Sequence, residues 1–343
     1  MADYDSDDFT AKLAVVGVGG QGCNLINRLY TSGLKSAATI AMNTDAKHLN
    51  MIGAQKKFLL GKSSTKGLGA GGYPEVAMKA ASSDVAEIRS LISGYDMVFI
   101  GAGMGGGTGT GAAPIIAQAA HDEGALVVAF VTYPFALERS RKLKADWGIQ
   151  NLSKAADTTI IIENDKLLSY YPNLQMEKAF ELVDNIAANA IRGISDTITF
   201  PSLINLDFAD VKSVMRDAGT AVISLGMGSG QDRVEGAIRS TLEHPLLSVD
   251  TEGAKSAMIH VSGGSNLTIE EATRIGGGVT AGMDERANVI FGARLNPENN
   301  NNVVVMSIIT GVKAKLGGSE YAAKTVEEVV PVHHVSSDLD MLL

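Results

Sequence analysis

The chain is short of several things that would place it quickly. It has one cysteine, Cys23, in 343 residues, so no disulfide can form within it, as suits a reducing compartment. Basic residues are outnumbered by acidic ones, 29 to 38, for a net charge of −9. That excludes a general nucleic-acid binder, whose affinity comes mainly from Lys and Arg on phosphates. It leaves room for a local basic site around a nucleotide. There is no long apolar span. The longest charge-free run, Met97–Ala120, is interrupted by glycines and polar residues and is no membrane helix. The start, "MADYDSDDF", is acidic and polar and does not read as a signal peptide. No amphipathic membrane-binding helix is evident. The expectation is a soluble cytoplasmic protein without direct membrane insertion. With 45% hydrophobic residues, the chain can bury a substantial core in two domains or one large one.

What is present is alternation. "KLAVVGV" (12–18), "ATIAMNTD" (38–45), "KFLLG" (57–61), "YDMVFIGAG" (95–103), "LVVAFVTYP" (126–134) and "TTIIIEN" (158–164) read as strands. Helical stretches lie between them, including one continuous helix over 75–93. Continuous apolar strands alternating with helices predict a parallel sheet covered on both faces. Residues 176–198 read as one long helix, with Ala179, Leu182, Val183, Ile186, Ala190 and Ile194 at helical spacing. Beyond it come strands in 220–228, 256–264, 287–295 and 301–311 and helices near 231–243 and 268–282. They predict a smaller α/β domain with a mixed sheet, in which Gly276–Gly278 should weaken the second helix. The division expected is an acidic extension (1–10), a nucleotide-binding domain (11–175), a central helix (176–198), a second domain (199–315) and a tail (316–343).

Glycine marks the chemistry. "AGMGGGTGTGAAP" (102–114) follows a strand and holds six glycines, with a helix expected to begin near Ala112. Such a run lets backbone N–H groups approach phosphate closely, yet it lacks the lysine of the usual phosphate loop. "GVGGQGCN" (17–24) fits G-x-G-x-x-G through Gly17, Gly19 and Gly22, with Asp45 at the end of the next strand. Alone, that pattern describes a dinucleotide-binding turn. A third glycine segment, "GLGAGGYP" (67–74), suggests several loops around one polyphosphate. "GKS" at Gly61–Ser63 is not a P-loop, because Lys56 stands where its first glycine belongs.

Two carboxylates follow at a distance. In "NLDFADVKSVM" (205–215), Asp207 and Asp210 precede a helical run. They read either as helix N-terminal caps or as groups that orient a water or its cation. His333 and His334 lack companion ligands, so no metal site is expected. Cys23 lies on the first glycine loop, where it reads as a small buried residue or as a thiol whose alkylation would block binding.

Together these motifs resemble the tubulin/FtsZ family of GTPases, on its FtsZ side. "GGGTGTG" matches the family's signature loop and "NLDFADVKSVM" its synergy loop. "AMNTDAKHL", "GLGAGGYPE", "VTYPFALE", "ENDKLL" and "AFELVDNI" keep the family's order, over residues 10–312. The resemblance implies a Rossmann-like sheet domain, a long central helix and a smaller C-terminal α/β domain. It implies GTP or GDP lined by Gly19, Gly20, Gln21, Gly22, Cys23 and Asn24. Gly103, Gly105, Gly106, Gly107, Thr108 and Gly109 would cradle the phosphates, with Gly71 and Gly72 at the γ-phosphate. Asn43 and Asp45 would sit near phosphate and a hydrated Mg²⁺. Glu138 would contact ribose, Lys142 phosphate, Asn164 and Asp184 the guanine edge, and Phe180 would stack on the base. Asp207 and Asp210, assisted by Asn205, would serve the nucleotide of the neighbouring copy in a head-to-tail filament of the division ring at mid-cell. "ERSRK" (138–142) departs from the family's E-G-x-x-R, which leaves Arg141 as a substitute for Lys142. "GGYP" brings Tyr73 to the pocket. "SSDLDMLL" is a candidate docking motif for a membrane-anchoring adaptor, and the ends suggest an archaeal-type member. The rival readings are a shape-controlling or weakly hydrolysing paralogue and a Rossmann-type NAD-dependent oxidoreductase.

Overall fold

The computed structural model describes residues 10–166, 175–200, 202–204, 206–244, 254–312, 314–316 and 319–321. Asn205, most of the tail with His333 and His334, and the acidic residues 1–9 lie outside them. The first part runs β1 (Leu13–Val18), α1 (Gly19–Thr31), β2 (Ala38–Asn43), α2 (Ala46–Met51), β3 (Lys56–Leu59), α3 (Lys62–Thr65), α4 (Pro74–Ser83), α5 (Val85–Ile92), β4 (Met97–Gly103), α6 (Thr108–Asp122), β5 (Leu126–Tyr133), α7 (Arg139–Ala155) and β6 (Thr158–Glu163). Then come α8 (Met176–Thr199), α9 (Phe208–Met215), β7 (Gly219–Gly228), α10 (Arg233–Leu242), β8 (Ser256–Gly263), α11 (Ile269–Thr280), β9 (Asn288–Leu295) and β10 (Val303–Thr310). A small hairpin, β11 (Ala314–Leu316) and β12 (Ser319–Tyr321), follows.

The strands β1–β10 form one sheet in the order β3-β2-β1-β4-β5-β6-β7-β10-β8-β9. From β3 to β6 every pairing is parallel. Here alternate residues face opposite layers. Leu13 and Val15 join a core with α1 and α8, while Ala14, Val16 and Val18 join another with α4–α7. Burial on both faces is why these strands read as unbroken apolar runs. The strand order reverses between β1 and β4, the topological switch point where such sheets take ligands, at the carboxyl ends of the strands.

The second part is a continuation, not a separate sheet. β7 pairs in parallel with β6, Thr158 opposite Gly219. β10 is antiparallel to both β7 and β8, and β9 is parallel to β8, so this half is mixed as expected. The α1–α8 core extends through Val183, Ile186, Ala190 and Ile194 to Ile223, Met258 and Ile308. The central helix is therefore a shared wall of the core, about 36 Å long at 1.5 Å per residue.

Two expectations are corrected and the helix of the second domain is found where expected. The helical stretch over 75–93 is two helices, broken at Asp84, whose carboxylate accepts from Gly61 N–H at 2.6 Å. Gly276–Gly278 lie within α11. A Cβ on Gly276 would press on Phe291 at 3.0 Å and one on Gly278 on Ile238 at 2.6 Å, so these two let α11 pack closely. Finally α6 begins at Thr108, inside the glycine run and four residues before Ala112.

Candidate functional site

The loops after β1 and β4 meet at the switch point. A Cβ on Gly22 would overlap the Gly101 carbonyl oxygen, one on Gly109 the Gly103 carbonyl, and one on Gly19 would lie 2.8 Å from Gly109 N. These glycines let the two turns and the helices α1 and α6 nest against each other. Gly103 is closed in by the Gln21 side chain, and Gly105, at φ +92°, by the backbone of Arg141 at 2.8 Å. Gly107 carries the third loop, with Ala70 Cβ 2.9 Å and Tyr73 N 3.0 Å from where its own Cβ would be. By contrast Gly20, Gly72 and Gly106 open onto space with no atom within 4 Å. One glycine from each loop is thus uncrowded, and the first two loops lead into the N-termini of α1 and α6, where free N–H groups and helix dipoles favour an anion.

Hydroxyls and amides brace this rim. Thr44 and Thr108 share a 2.7 Å hydrogen bond between their Oγ1 atoms. Gly105 N–H donates to Thr110 Oγ1 at 2.9 Å. The Asn43 side chain is buried, accepting from Asp45 N–H at 3.2 Å and pairing with His48 Nδ1 at 3.3 Å. Asp45 caps α2 by accepting from His48 N–H at 3.0 Å. Asn43 and Asp45 therefore shape the turn beside the opening. Of the two readings of Cys23, the structure bears out the small buried residue. It is buried in the α1 core, its thiol turned toward the Gly17 and Met42 carbonyls. Burial pushes that thiol up to about 12, so only the backbone of this residue is available to a ligand.

Next to the phosphate end lies a small cavity lined by Gln21, Gly22, Leu25, Thr132 and Asp184 among others. Gln21 Oε1 accepts from Thr132 Oγ1 at 2.7 Å, while its Nε2 is buried without a protein partner. Asn164, at the end of β6, is 4% exposed and its Oδ1 also lacks a protein partner. Asp184 is 8% exposed on α8. Burial raises its carboxyl to about 7, with Arg28 opposing the shift and Glu181 adding to it. Buried polar atoms without partners are costly unless a ligand completes them. Asn164 Oδ1 is an acceptor that a ligand N–H would complete, and Gln21 Nε2 a donor that a ligand carbonyl would complete. Phe180 is 40% exposed and meets the Phe135 ring edge-on at 5.6 Å.

The basic residues of "ERSRK" divide their roles. Glu138 is the N-cap residue of α7 and pairs with Arg141 at 2.8 Å. Lys142 stands 3.9 Å from Asp165 and over the Tyr133 ring. Neither cation is placed among the three open glycines by any contact. Lys144 does reach that rim, donating to the Gly72 carbonyl at 2.7 Å. Thr44, Thr132 and Lys144 were missed in the sequence, because only tertiary contacts bring them to the loops.

Asp207 and Asp210 lie elsewhere. Asp207 caps α9, accepting from Asp210 N–H at 2.8 Å, and Asp210 returns a bond from Asp207 N–H at 3.3 Å. The capping reading is thus realised in full. From there α9 leads to the end where the parallel strands begin. Ser213 accepts from Asn288, the first residue of β9, at 3.1 Å, and Thr158, the first of β6, donates to the Met215 carbonyl. The segment that leads to the carboxylates leaves α8 at Thr199, whose hydroxyl donates to the Ser36 carbonyl just before β2, at the other end of α8 from Asp184.

Fold and loops define a doubly wound protein in which glycine-rich loops and two helix N-termini meet at the switch point, beside a small cavity lined in part by Gln21, Thr132 and Asp184. Residues 12–172 match the Tubulin/FtsZ family GTPase domain, and residues 219–313 the FtsZ family C-terminal domain. "Cell division protein FtsZ 2" of Methanocaldococcus jannaschii is 52% identical over 91% of this chain and 83% of its own. "Cell division protein FtsZ 2" of Haloferax volcanii is 46% identical over 92% and 78%. The solved "FtsZ dimer, empty" of M. jannaschii superposes with a TM-score of 0.88 at 40% identity, covering 96% of this chain and 99% of that one. The chain belongs to the tubulin/FtsZ family of GTPases. The NAD-dependent oxidoreductase reading is thereby overturned: the G-x-G-x-x-G turn is one of several loops of a GTPase domain.

Proposed function

We infer that this chain is a polymerising cell-division GTPase that stacks head to tail and hydrolyses GTP between successive copies. The observation that carries this reading is the separation of its two chemical halves. The glycine loops stand where the parallel strands end, whereas the segment that carries Asp207 and Asp210 leaves α8 at Thr199, which is bonded to Ser36 just before β2, where the parallel strands begin. In one copy they cannot meet. Stacked in the same direction, one copy's carboxylates face the next copy's loops. Such a contact is heterologous and does not close, so it propagates into a filament. The names of the relatives, and the solved dimer among them, support both division and self-assembly.

The chemistry follows from the residues. The backbone at Gly20, Gly72 and Gly106 holds the phosphates, with Thr108 at the head of α6. Gln21, Asn164 and Asp184 read the guanine, Phe180 covers it, and Glu138 sits at the ribose side. Asp184 accepts from guanine N1–H and N2–H, whereas adenine would set a lone pair against it. A water from the interface attacks the γ-phosphorus as the bond to the β–γ bridging oxygen breaks. Asp207 and Asp210 of the adjoining copy accept hydrogen bonds from that water and orient it, assisted by Asn205. Asn43 and Asp45 would lie near a hydrated Mg²⁺ bound through the phosphates, and that ion would supply charge neutralisation. Among the described residues no helix is long and apolar enough to cross a membrane. Placement at the mid-cell membrane then falls to an adaptor, with "SSDLDMLL" as its docking segment.

The test is sedimentation in GTP and in GDP, with Asp210→Ala alongside the natural chain. The natural chain should pellet with GTP only. Asp210→Ala should bind GTP and pellet but lose most hydrolysis. Loss of GTP binding in that variant would contradict the assignment.

A further inference from the structure

The glycine cradle contains no lysine, yet an ammonium is held on it from another element. Lys144 lies one turn into α7. Its Nζ donates to the Gly72 carbonyl at 2.7 Å and stands 5.5 Å from the centre of the Tyr73 ring. Tyr73 is itself the N-cap residue of α4, and its N–H donates to the Ala70 carbonyl at 3.0 Å. Within this segment Gly71 and Gly72 both have positive φ, +61° and +81°. Little in their own conformations resists rotation of the peptides that would face a third phosphate. The loop rests on Gly107, and α7 touches the signature loop at Gly105. Lys144 and Tyr73 thus tie the third loop to the same helix that abuts the phosphate turn.

We propose that Lys144, seated on Tyr73, is a positioning residue that sets the preference for a nucleoside triphosphate over a diphosphate. It fixes the Gly72–Tyr73 peptide, whose N–H is held by the Ala70 carbonyl, and so anchors the loop with the preceding N–H groups, those of Gly71 and Gly72, turned to the γ-phosphate. A diphosphate does not reach this loop and does not sense the strap. The positive charge adds to the effect, since an ammonium has three donors and only one is used on Gly72. The inference rests on the assignment of Gly71 and Gly72 to the γ-phosphate.

The experiment compares equilibrium binding of GDP and of a non-hydrolysable GTP analogue to the full chain and to Lys144→Ala, Lys144→Arg and Tyr73→Ala. For Lys144→Ala the analogue should bind about tenfold more weakly, as for loss of one charge-assisted hydrogen bond. GDP affinity should stay within about twofold on the same ground. Lys144→Arg should recover most of the loss, and Tyr73→Ala should shift the analogue in the same direction. Equal weakening of both nucleotides, or no change in either, would overturn the proposal. If Lys144→Ala does not fold, Tyr73→Ala decides by the same ratio. Failure of the underlying assignment looks different: the natural chain would itself bind analogue and GDP without distinction.

Discussion

The guanine-reading role proposed for Asp184 makes nucleotide binding depend on pH. Its carboxyl is raised from 3.8 to about 7 by burial, so in the nucleotide-free protein it is half protonated near neutrality. Only the carboxylate can accept from guanine N1–H and N2–H. Binding therefore displaces a proton, and apparent affinity falls with the fraction ionised. Between pH 8 and pH 6 that fraction drops about tenfold, equivalent to roughly 1.4 kcal/mol. The same shift bears on stability with a definite sign. A carboxyl that holds its proton more tightly when folded favours the fold below its folded value and disfavours it above. Asp184→Asn should therefore stabilise the nucleotide-free protein at pH 8, by on the order of 2–4 kcal/mol, while weakening GDP binding. The assay is calorimetric titration with GDP from pH 6 to 8, for the natural chain and for Asp184→Asn. The β-phosphate of GDP titrates in this range too, and the variant's slope removes that contribution. Equal slopes for the two proteins would refute the reasoning. So would a gain of GDP affinity at low pH.

Cys23, buried with its thiol pushed up to about 12, should resist iodoacetamide at pH 8 in the native protein and react on denaturation. Rapid native labelling, followed by mass spectrometry, would show the loop to be open. Arg233, 7% exposed, is bound bidentately to Glu271 at 2.8 and 2.7 Å and also to Asn266. Arg233→Ala leaves the Glu271 carboxylate without its cation and should cost about 3–5 kcal/mol in denaturant unfolding; a loss below about 1 kcal/mol would place the pair on the solvated surface. Gly22→Ala should unfold or badly distort the protein, since its Cβ would overlap the Gly101 carbonyl oxygen, whereas Gly106→Ala meets nothing within 4 Å and should fold normally. Circular dichroism melts separate the two, and equal melting temperatures would contradict the packing roles assigned here.

Much of this was legible in the sequence, for identifiable reasons. The parallel strands announce themselves because both faces are buried, as at Leu13–Val18. The central helix is readable from its apolar spacing, and the structure extends it by one residue, to Thr199. What escaped depended on tertiary contact. The break at Asp84 exists because its carboxylate goes to Gly61. The early start of α6 places Thr108 at the helix head, where its hydroxyl pairs with Thr44. The glycines of the signature run looked equivalent in sequence, yet the structure divides them into packing glycines and those that open on the cradle. Asp184 gives no local sign of burial in the sequence and is buried. Lys144 carries no local signal, because its partner is 72 residues away.

The central claim is that the hydrolytic site is completed by the next copy. The direct measurement is GTP turnover per molecule against protein concentration. The account predicts little turnover below a threshold concentration and a steep rise above it, in step with pelleting. Turnover per molecule that is independent of concentration would mean that one copy suffices, and would contradict the shared site.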